Sequence, residues 1–219
     1  AWKSFDQRKH FIFIGNFLHK PNVDAVITLK NDIWSEIREY LPGAEVHIYG
    51  AYVTQQIQQL HNKREGFIIK GFAENAKEVV ENAKVVLAPL RFGAGIKGKL
   101  AEAMISGTPS ITTSIGAEGM CGNFPWNGIV EDNFSDFALK ASHLYKSQSL
   151  WENAQVTGLE IINNLYDKEK LEQPFINQIL EIQQDLEPHR NQNFFGSLLQ
   201  HQTLQATKFL SKWIEAKNK

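Results

Sequence analysis

Residues 84–107 read KVVLAPLRFGAGIKGKLAEAMISG, and three local patterns follow one another in this stretch. The apolar run at 84–90 predicts a buried strand. Apolar residues recur at helical spacing in 97–106 and predict a helix that stops at Gly107. The loop between strand and helix is rich in glycine: Gly93, Gly95 and Gly98. A buried strand that leads through such a loop into a helix is typical of phosphate-binding sites, because free N–H groups at the helix start point at the ligand.

The basic residues around this loop break a local rule of helix formation. Lys97 and Lys99 fall in the first turn of the predicted helix, where the helix dipole repels a cation by about 0.3–1 kcal/mol. Between Glu81 and Glu102 the chain has no acidic residue and four basic ones: Lys84, Arg91, Lys97 and Lys99. A bound phosphate would satisfy amides and cations together, although a solvated charge run with a Lys99–Glu102 pair is the simpler alternative. We favour the phosphate, since a broken local rule is typical of a functional site.

Two glycine motifs match the loop, and both fail on their context. The spacing from Gly93 to Lys99 is that of a P-loop, but Leu100 stands where Ser or Thr would hold magnesium, so ATP hydrolysis is disfavoured. The same glycines spell a dinucleotide fingerprint, which normally follows the first strand of its unit, whereas this one follows the fourth predicted strand. A nucleoside diphosphate with one reactive end fits the two lysines better than NAD does.

Strands and helices alternate along most of the chain. Further strands are predicted at 10–15, 45–50, 66–71, 109–114 and 128–132, and helices at 22–41, 53–62, 74–83 and from Phe134 almost to the end. This alternation predicts an α/β fold, a Rossmann-like doubly wound parallel sheet of about six strands with a helical C-terminal extension. Three predicted strands end in glycine, at the edge where such sheets bind ligands: Gly15, Gly50 and Gly71.

The composition limits the class of partner. The 219 residues include 23 Lys and Arg against 24 Asp and Glu, a formal net charge of −1, so bulk charge favours neither nucleic acid nor an anionic membrane as a partner. Cys121 is the single cysteine, which excludes an intramolecular disulfide and any multi-cysteine metal site. No apolar run reaches membrane-spanning length, and the first residues lack a signal-peptide core. We therefore expect no transmembrane segment and a cytoplasmic location.

Three segments resemble retaining glycosyltransferases of family 4: FIGNFLHKPNVDAV, IWSEIREYLPGAEVHIYG and APLRFGAGIKGKLAEAMISGTPSITTSIGAEGM. The similarity runs from about residue 10 to about residue 180 and is strongest at 85–120. In that family two Rossmann-like domains face each other in the GT-B fold, the first binding the acceptor and the second the nucleotide-sugar donor. This chain resembles the second domain alone, which agrees with its lack of an initiator Met.

The resemblance implies what the full-length enzyme does. It implies transfer of a hexosyl group, with retention, from a nucleotide-diphosphate-sugar to a saccharide or lipid-linked acceptor, as in polysaccharide biosynthesis. An N-terminal acceptor-binding domain is implied as a partner, and peripheral membrane association of the full-length enzyme stays open. The isolated chain is expected to be inactive. No metal or other cofactor is implied, because lysine and arginine can neutralise the leaving diphosphate.

The resemblance also assigns roles to residues of the glycine loop and its helix. Glu102 matches the glutamate that binds the donor ribose, and Arg91 and Lys99 match basic residues on the diphosphate. The backbone of Gly95 and Ile96 matches the amides near the distal phosphate and the sugar.

Other roles fall on strand ends and turns. Gly15 and Asn16 match the loop beneath the diphosphate, and Gly71 and Phe72 lie where the nucleobase is held. Many family members have a second glutamate eight residues before the ribose one, but Ala94 occupies that position here. Lys97 or the turn containing Glu118 is therefore a candidate for sugar recognition.

The resemblance gives a domain division and leaves two other functions open. Residues 1–186 are predicted to form the donor-binding domain, and 187–219 a helical tail that packs either on the missing acceptor domain or on its own core. A catalytically silent nucleotide-binding or scaffolding module is one alternative. An NAD-type dehydrogenase half is another, although its second strand should end in an acid and this one ends HIYGA.

Overall fold

The computed structural model describes residues 2–217, except for the side chains of residues 201–204. The strands are β1 Lys9–Ile14, β2 Val46–Tyr49, β3 Phe67–Gly71, β4 Ala83–Ala88, β5 Ser110–Thr112 and β6 Gly128–Val130. Within the described range they form one six-stranded sheet in the order β3-β2-β1-β4-β5-β6, and every neighbouring pair is parallel. The predicted Rossmann-like α/β fold with a helical C-terminal region is confirmed.

Helices connect the strands and continue beyond the last one. They are α1 Lys20–Thr28, α2 Trp34–Tyr40, α3 Gln55–Gln58, α4 Ala76–Asn82, α5 Gly98–Ile105, α6 Ser114–Ala117, α7 Phe134–Lys146, α8 Gln148–Leu165, α9 Lys168–Gln184, α10 Leu186–Gln192 and α11 Phe194–Lys217. A 3-10 turn at Phe5–Gln7 precedes β1. None of the described helices is long and apolar enough to cross a membrane.

Both faces of the central strand β1 are buried, as a doubly wound sheet requires. Phe11 and Phe13 belong to one apolar cluster, in which Trp34 of α2 and Phe137 of α7 also lie. Ile12 points to the other face and belongs to a second cluster with Leu100 of α5. Fully burying such a side chain contributes about 1.5–3 kcal/mol, so β1 anchors both helical layers and fixes the loop that follows it.

The predicted helix at 22–41 is interrupted. A π-helical turn at Leu29–Ile33 separates α1 from α2. Ile33 and the adjacent Trp34 are both buried, so the apolar spacing continues across the interruption. Because the hydrophobic pattern is preserved, the sequence showed one helix where the backbone forms three segments.

The chain divides into two compact units between Tyr166 and Asp167. The boundary predicted from the sequence lies later, between residues 186 and 187, where the character of the sequence changes. The second unit contains α9, α10 and α11, and no described side chain of α9 or α10 is buried. The last two residues of the predicted tail at 187–219 lie outside the described residues.

Candidate functional site

A cleft of about 510 Å³ lies at the carboxyl edge of the sheet, between the loops that follow β1 and β4. These strands are neighbours at the point where the strand order reverses direction, which is where open α/β sheets bind ligands. No carboxylate of the described residues lines it. The lining residues are Gly15, Asn16, His19, Pro21, Asn22, Leu90, Phe92, Gly93, Ala94, Ile96, Lys97, Gly98 and Lys99.

Lys97 is a buried cation within an exposed loop. Residues 91–96 and Gly98 are exposed, whereas Lys97 is only 9 % exposed. Its Nζ has no hydrogen-bond partner among the described residues. Leaving a buried polar group without a partner costs about 1–3 kcal/mol, and a bound anion would remove that cost by supplying the partner. The position of Lys97 in the cleft lining indicates an anionic ligand.

Lys99 is held against the loop that follows β1. Its Nζ donates a hydrogen bond to Oδ1 of Asn22 and lies 4.7 Å from the ring centroid of Phe13. Asn22 Nδ2 in turn donates to the carbonyl oxygen of Asn16 at 2.7 Å. Burial lowers the pKa of Lys99 from 10.5 to about 8. The ammonium is thus fixed in direction and partly dehydrated, and a nearby anion would favour its charged form.

The start of α5 adds backbone donors to the two lysines. No side chain caps this helix, whose N-cap residue is Lys97, so N–H groups of its first turn are available to a ligand. Gly93 and Gly95 have φ angles of 146° and 71°, which residues with a Cβ rarely adopt. The two glycines allow the loop to turn sharply and bring its backbone to the cleft.

Arg91 lies outside the cleft lining and has a partner of its own. Its Nε donates to Oδ2 of Asp24 at 2.9 Å, and its Nη2 donates to Oδ1 of the same carboxylate. This bidentate pair raises the pKa of Arg91. The guanidinium is about half exposed, so it would have to leave Asp24 in order to reach a ligand in the cleft.

Glu102 lies on α5, one turn beyond Lys99, and is outside the cleft lining. Its Oε1 accepts a hydrogen bond from Oγ of Ser106 at 3.4 Å. Within the described residues Lys99 and Glu102 form no ion pair, and Lys99 turns to Asn22 instead. The simpler reading of these charges as a solvated Lys99–Glu102 pair is therefore not what the structure contains.

The remaining predicted residues divide into two groups. Gly15, Asn16, Ile96, Lys97 and Lys99 come together in the cleft, and Gly95 lies in its loop. Phe72 follows β3, the edge strand, and is 71 % exposed, whereas Glu118 follows α6 on the opposite side of the sheet and is exposed. Gly71 ends β3, so it also lies outside the cleft lining.

Two residues of α1 that hold the cations in place were not predicted from the sequence. Asn22 binds Lys99, and Asp24 binds Arg91. The sequence did mark the start of α1, because proline is favoured at the first helical positions and both residues follow Pro21 within three positions. Nothing in their spacing named the partners, since those contacts join segments far apart in the chain.

The described residues contain no group of three His, Cys, Asp or Glu side chains arranged to hold a metal ion. Independence of metal stays a prediction. The features that the site does offer are one buried and one partly buried lysine, free helix amides and a backbone loop, and together they can bind a phosphate-bearing anion.

A parallel sheet with a cationic cleft at its switch point defines a Rossmann-like ligand-binding domain. The chain matches the family model described as glycosyl transferases group 1 over residues 8–147, and it belongs to that family. No curated protein matches the chain at a significant level.

Solved glycosyltransferase structures share the fold. A mutant of S. aureus TarM, in complex with fondaparinux, alpha-GlcNAc-glycerol and UDP, has 22 % identity and a TM-score of 0.67 over 81 % of this chain and 36 % of its own. The pneumococcal O-GlcNAc transferase GtfA, in complex with UDP and GlcNAc, has 17 % identity and a TM-score of 0.63 over 83 % of this chain and 38 % of its own.

One similar structure is itself a single domain. The C-terminal domain of a glycosyl transferase group 1 family protein, LpcC, from Francisella tularensis has 18 % identity and a TM-score of 0.55, over 76 % of this chain and 94 % of its own. By contrast, the chain spans little more than a third of TarM and GtfA.

Proposed function

We propose that this chain is the donor-binding domain of a retaining glycosyltransferase of family 4 with the GT-B fold. The cleft between the loops after β1 and β4 would bind a nucleotide-diphosphate-sugar. The observation that carries the proposal is the buried Nζ of Lys97, the N-cap residue of α5, which has no partner among the described residues. A diphosphate supplies the partner that this ammonium lacks.

Similar structures support this choice of ligand. TarM and GtfA were each solved with UDP. The C-terminal domain of LpcC is comparable in size, because the match covers 94 % of its length and 76 % of this chain. Their identities are too low to carry a substrate across. The charge of the cleft makes the independent argument, because two lysines and no acid line it among the described residues.

The proposed reaction places the main catalytic task on the leaving group. As the bond between the anomeric carbon and the diphosphate breaks, negative charge grows on the phosphate oxygens. Lys97, Lys99 and the first amides of α5 would stabilise that charge, and Asn22 already holds Lys99 in place in the cleft lining, which limits the reorganisation needed. The acceptor hydroxyl would enter on the face that the diphosphate leaves, with retention, and its proton would pass to the departing phosphate oxygen. No metal would be required.

Residues outside the cleft lining complete the proposed donor site. Glu102 would accept hydrogen bonds from the ribose hydroxyls, and Gly71 and Phe72 would hold the nucleobase beyond β1. Arg91 would exchange its partner Asp24 for a phosphate oxygen.

The sugar end of the proposed site has no carboxylate from the glycine loop, because Ala94 stands where many family members have a glutamate. Lys97 and the backbone of Gly95 and Ile96 would form that end of the site instead.

The acceptor would bind in a separate N-terminal domain of the full-length enzyme. Transfer of a hexosyl group to a saccharide or lipid-linked acceptor, a role in polysaccharide biosynthesis and a cytoplasmic location all belong to this proposal. An acceptor domain facing the cleft is consistent with the partial coverage of TarM and GtfA.

The test is a thermal-denaturation panel with UDP, GDP, ADP and NAD in the presence of a chelator. A ligand at about 100 times its Kd adds about 2.7 kcal/mol of stability, so at least one nucleoside diphosphate should raise Tm by several degrees, while NAD should not. Lys77→Met, which removes an exposed lysine of α4 outside the cleft lining, is the control and should show the same Tm shifts as the wild type. A shift with NAD equal to that with the diphosphates would overturn the proposal, and so would no shift with any of them.

A further inference from the structure

The last helix, α11, has an exposed apolar face near its C-terminal end. Phe209, Leu210, Trp213 and Ile214 are 61 %, 57 %, 59 % and 47 % exposed. They recur at spacings of three and four residues, so they lie on one side of the helix. We name this surface the α11 face. Its aromatic content is unusual for a surface in contact with water alone.

The charges of α11 are basic on balance, because three lysines stand against one acid, Glu215, which lies one turn from Lys212. From Glu187 to Glu215 there is no other Asp or Glu, whereas Arg190, Lys208 and Lys212 fall within that stretch. Lys208 and Lys212 are one turn apart, on the polar side of α11. The overall net charge of −1 therefore hides a locally basic helix.

A third cation stands at the end of the α11 face itself. Nζ of Lys217 lies 5.1 Å from the ring centroid of Trp213, which is within the range of a cation–π contact. An indole with an ammonium over its ring is amphipathic, and such pairs are favoured where an apolar layer meets a charged one. This arrangement points to a boundary between lipid chains and headgroups rather than to the interior of a protein.

Helix α9 of the same unit also exposes apolar side chains, but its charge is different. Leu171, Phe175 and Ile179 follow one side of α9 and are each about half exposed or more. Three glutamates accompany them along the helix against two lysines: Glu169, Glu172, Glu181, Lys168 and Lys170. An anionic surface would repel the carboxylates of α9 and attract the lysines of α11.

We propose that α11 binds the surface of a bilayer that contains anionic lipids. Phe209, Leu210, Trp213 and Ile214 would enter the boundary between headgroups and acyl chains, and Lys208 and Lys212 would remain at the level of the headgroup phosphates. The helix would lie along the surface, since none of the described helices is apolar enough to span a membrane. The inference concerns a different surface from the donor cleft and does not depend on the proposed function.

The test is flotation of the full 219-residue chain with vesicles. One set contains phosphatidylcholine alone, and the other contains equal parts of phosphatidylcholine and phosphatidylglycerol. We expect binding to the anionic vesicles to be at least about tenfold tighter. Phe209→Ser/Trp213→Ser should weaken that binding by at least about tenfold, whereas the matched control Leu171→Ser/Phe175→Ser in α9 should leave it unchanged.

A second variant separates charge from apolar contact. Lys208→Gln/Lys212→Gln keeps the α11 face intact and should reduce binding to anionic vesicles by about tenfold or more, because each lysine near such a surface contributes. Equal binding of the wild type to both vesicle types would overturn the proposal, as would an equal loss in the α9 control. If Phe209→Ser/Trp213→Ser reduces the molar mass in light scattering and leaves vesicle binding unchanged, α11 binds protein and the proposal fails.

Discussion

Replacing Lys97 by methionine separates the stability of the domain from its ligand affinity. Methionine has a similar unbranched shape and fills the same space without a charge. Nζ of Lys97 is buried and has no partner among the described residues. In the unbound protein this missing hydrogen bond lowers the free energy of unfolding, and methionine, which has no polar group, removes the penalty. A buried polar group without a partner costs about 1–3 kcal/mol, so we expect Lys97→Met to raise the free energy of unfolding by about that amount. The corresponding rise in Tm is about 2–10 °C for a domain of this size.

The same substitution should weaken ligand binding. A hydrogen bond from an ammonium to a phosphate oxygen contributes about 1.5–3 kcal/mol, which corresponds to a loss of affinity of about 10- to 150-fold. Stability and affinity therefore change in opposite directions. If Lys97 had only a structural role, its replacement by methionine would instead lower the stability of the protein and leave the affinity for UDP unchanged.

Scanning calorimetry of the unbound variant and isothermal titration with UDP, both with a chelator present, measure the two effects. Lys77→Met is the control, because its ammonium is exposed and pairs with Glu81 on the same helix; it should change neither quantity appreciably. A lower Tm for Lys97→Met together with an unchanged Kd for UDP would refute the reasoning.

Three further predictions concern the other charged groups near the cleft. Glu102→Gln should weaken the binding of UDP by at least about tenfold and leave the binding of inorganic pyrophosphate unchanged or slightly tighter, since only UDP has a ribose. Titrations in which the affinity for both ligands falls, or for neither, would contradict the ribose role. Burial lowers the pKa of Lys99 to about 8, so the affinity for UDP should fall as pH rises above about 8, and Lys99→Ala should flatten that profile. The free energy of unfolding should rise between about pH 8 and 10.5, because the unfolded state binds more protons in that range. An unchanged pH profile of UDP affinity in Lys99→Ala would exclude Lys99 as the titrating group. Asp24→Asn should release Arg91 and tighten UDP by up to about fivefold, and a loss of affinity would show that the ion pair supports the site as it stands.

The strands could be predicted from the sequence because each is a compact apolar run bounded by punctuation. The run at 84–90 forms β4 at Ala83–Ala88. The predicted helix at 97–106 begins one residue later than expected, so Lys97 is the N-cap of α5 rather than part of its first turn. The π-helical turn at Leu29–Ile33 could not be predicted, since it leaves the order of apolar residues unchanged. Backbone hydrogen bonding, rather than side-chain pattern, produces it.

The candidate site could be predicted in its location but not in its internal contacts. Glycine and lysine spacing identified the loop, yet it could not show that Lys97 is buried without a partner among the described residues while Lys99 donates to Asn22. The pairing of Arg91 with Asp24 likewise depends on the approach of α1 to the loop after β4. Such contacts are set by tertiary packing, which one local stretch does not encode.

Because β1 and β4 are neighbours in the sheet, a ligand in the cleft is expected to stabilise their pairing. Gly15 and Asn16 follow β1, and Lys97 and Lys99 follow β4, so the two walls belong to chain segments that meet only when β1 pairs with β4. An anion bound between them would bridge the two loops noncovalently at the middle of the sheet. Occupancy of the cleft would thus slow the opening of β1 away from β4, and amide hydrogen exchange in these two central strands would slow more than in the edge strand β3.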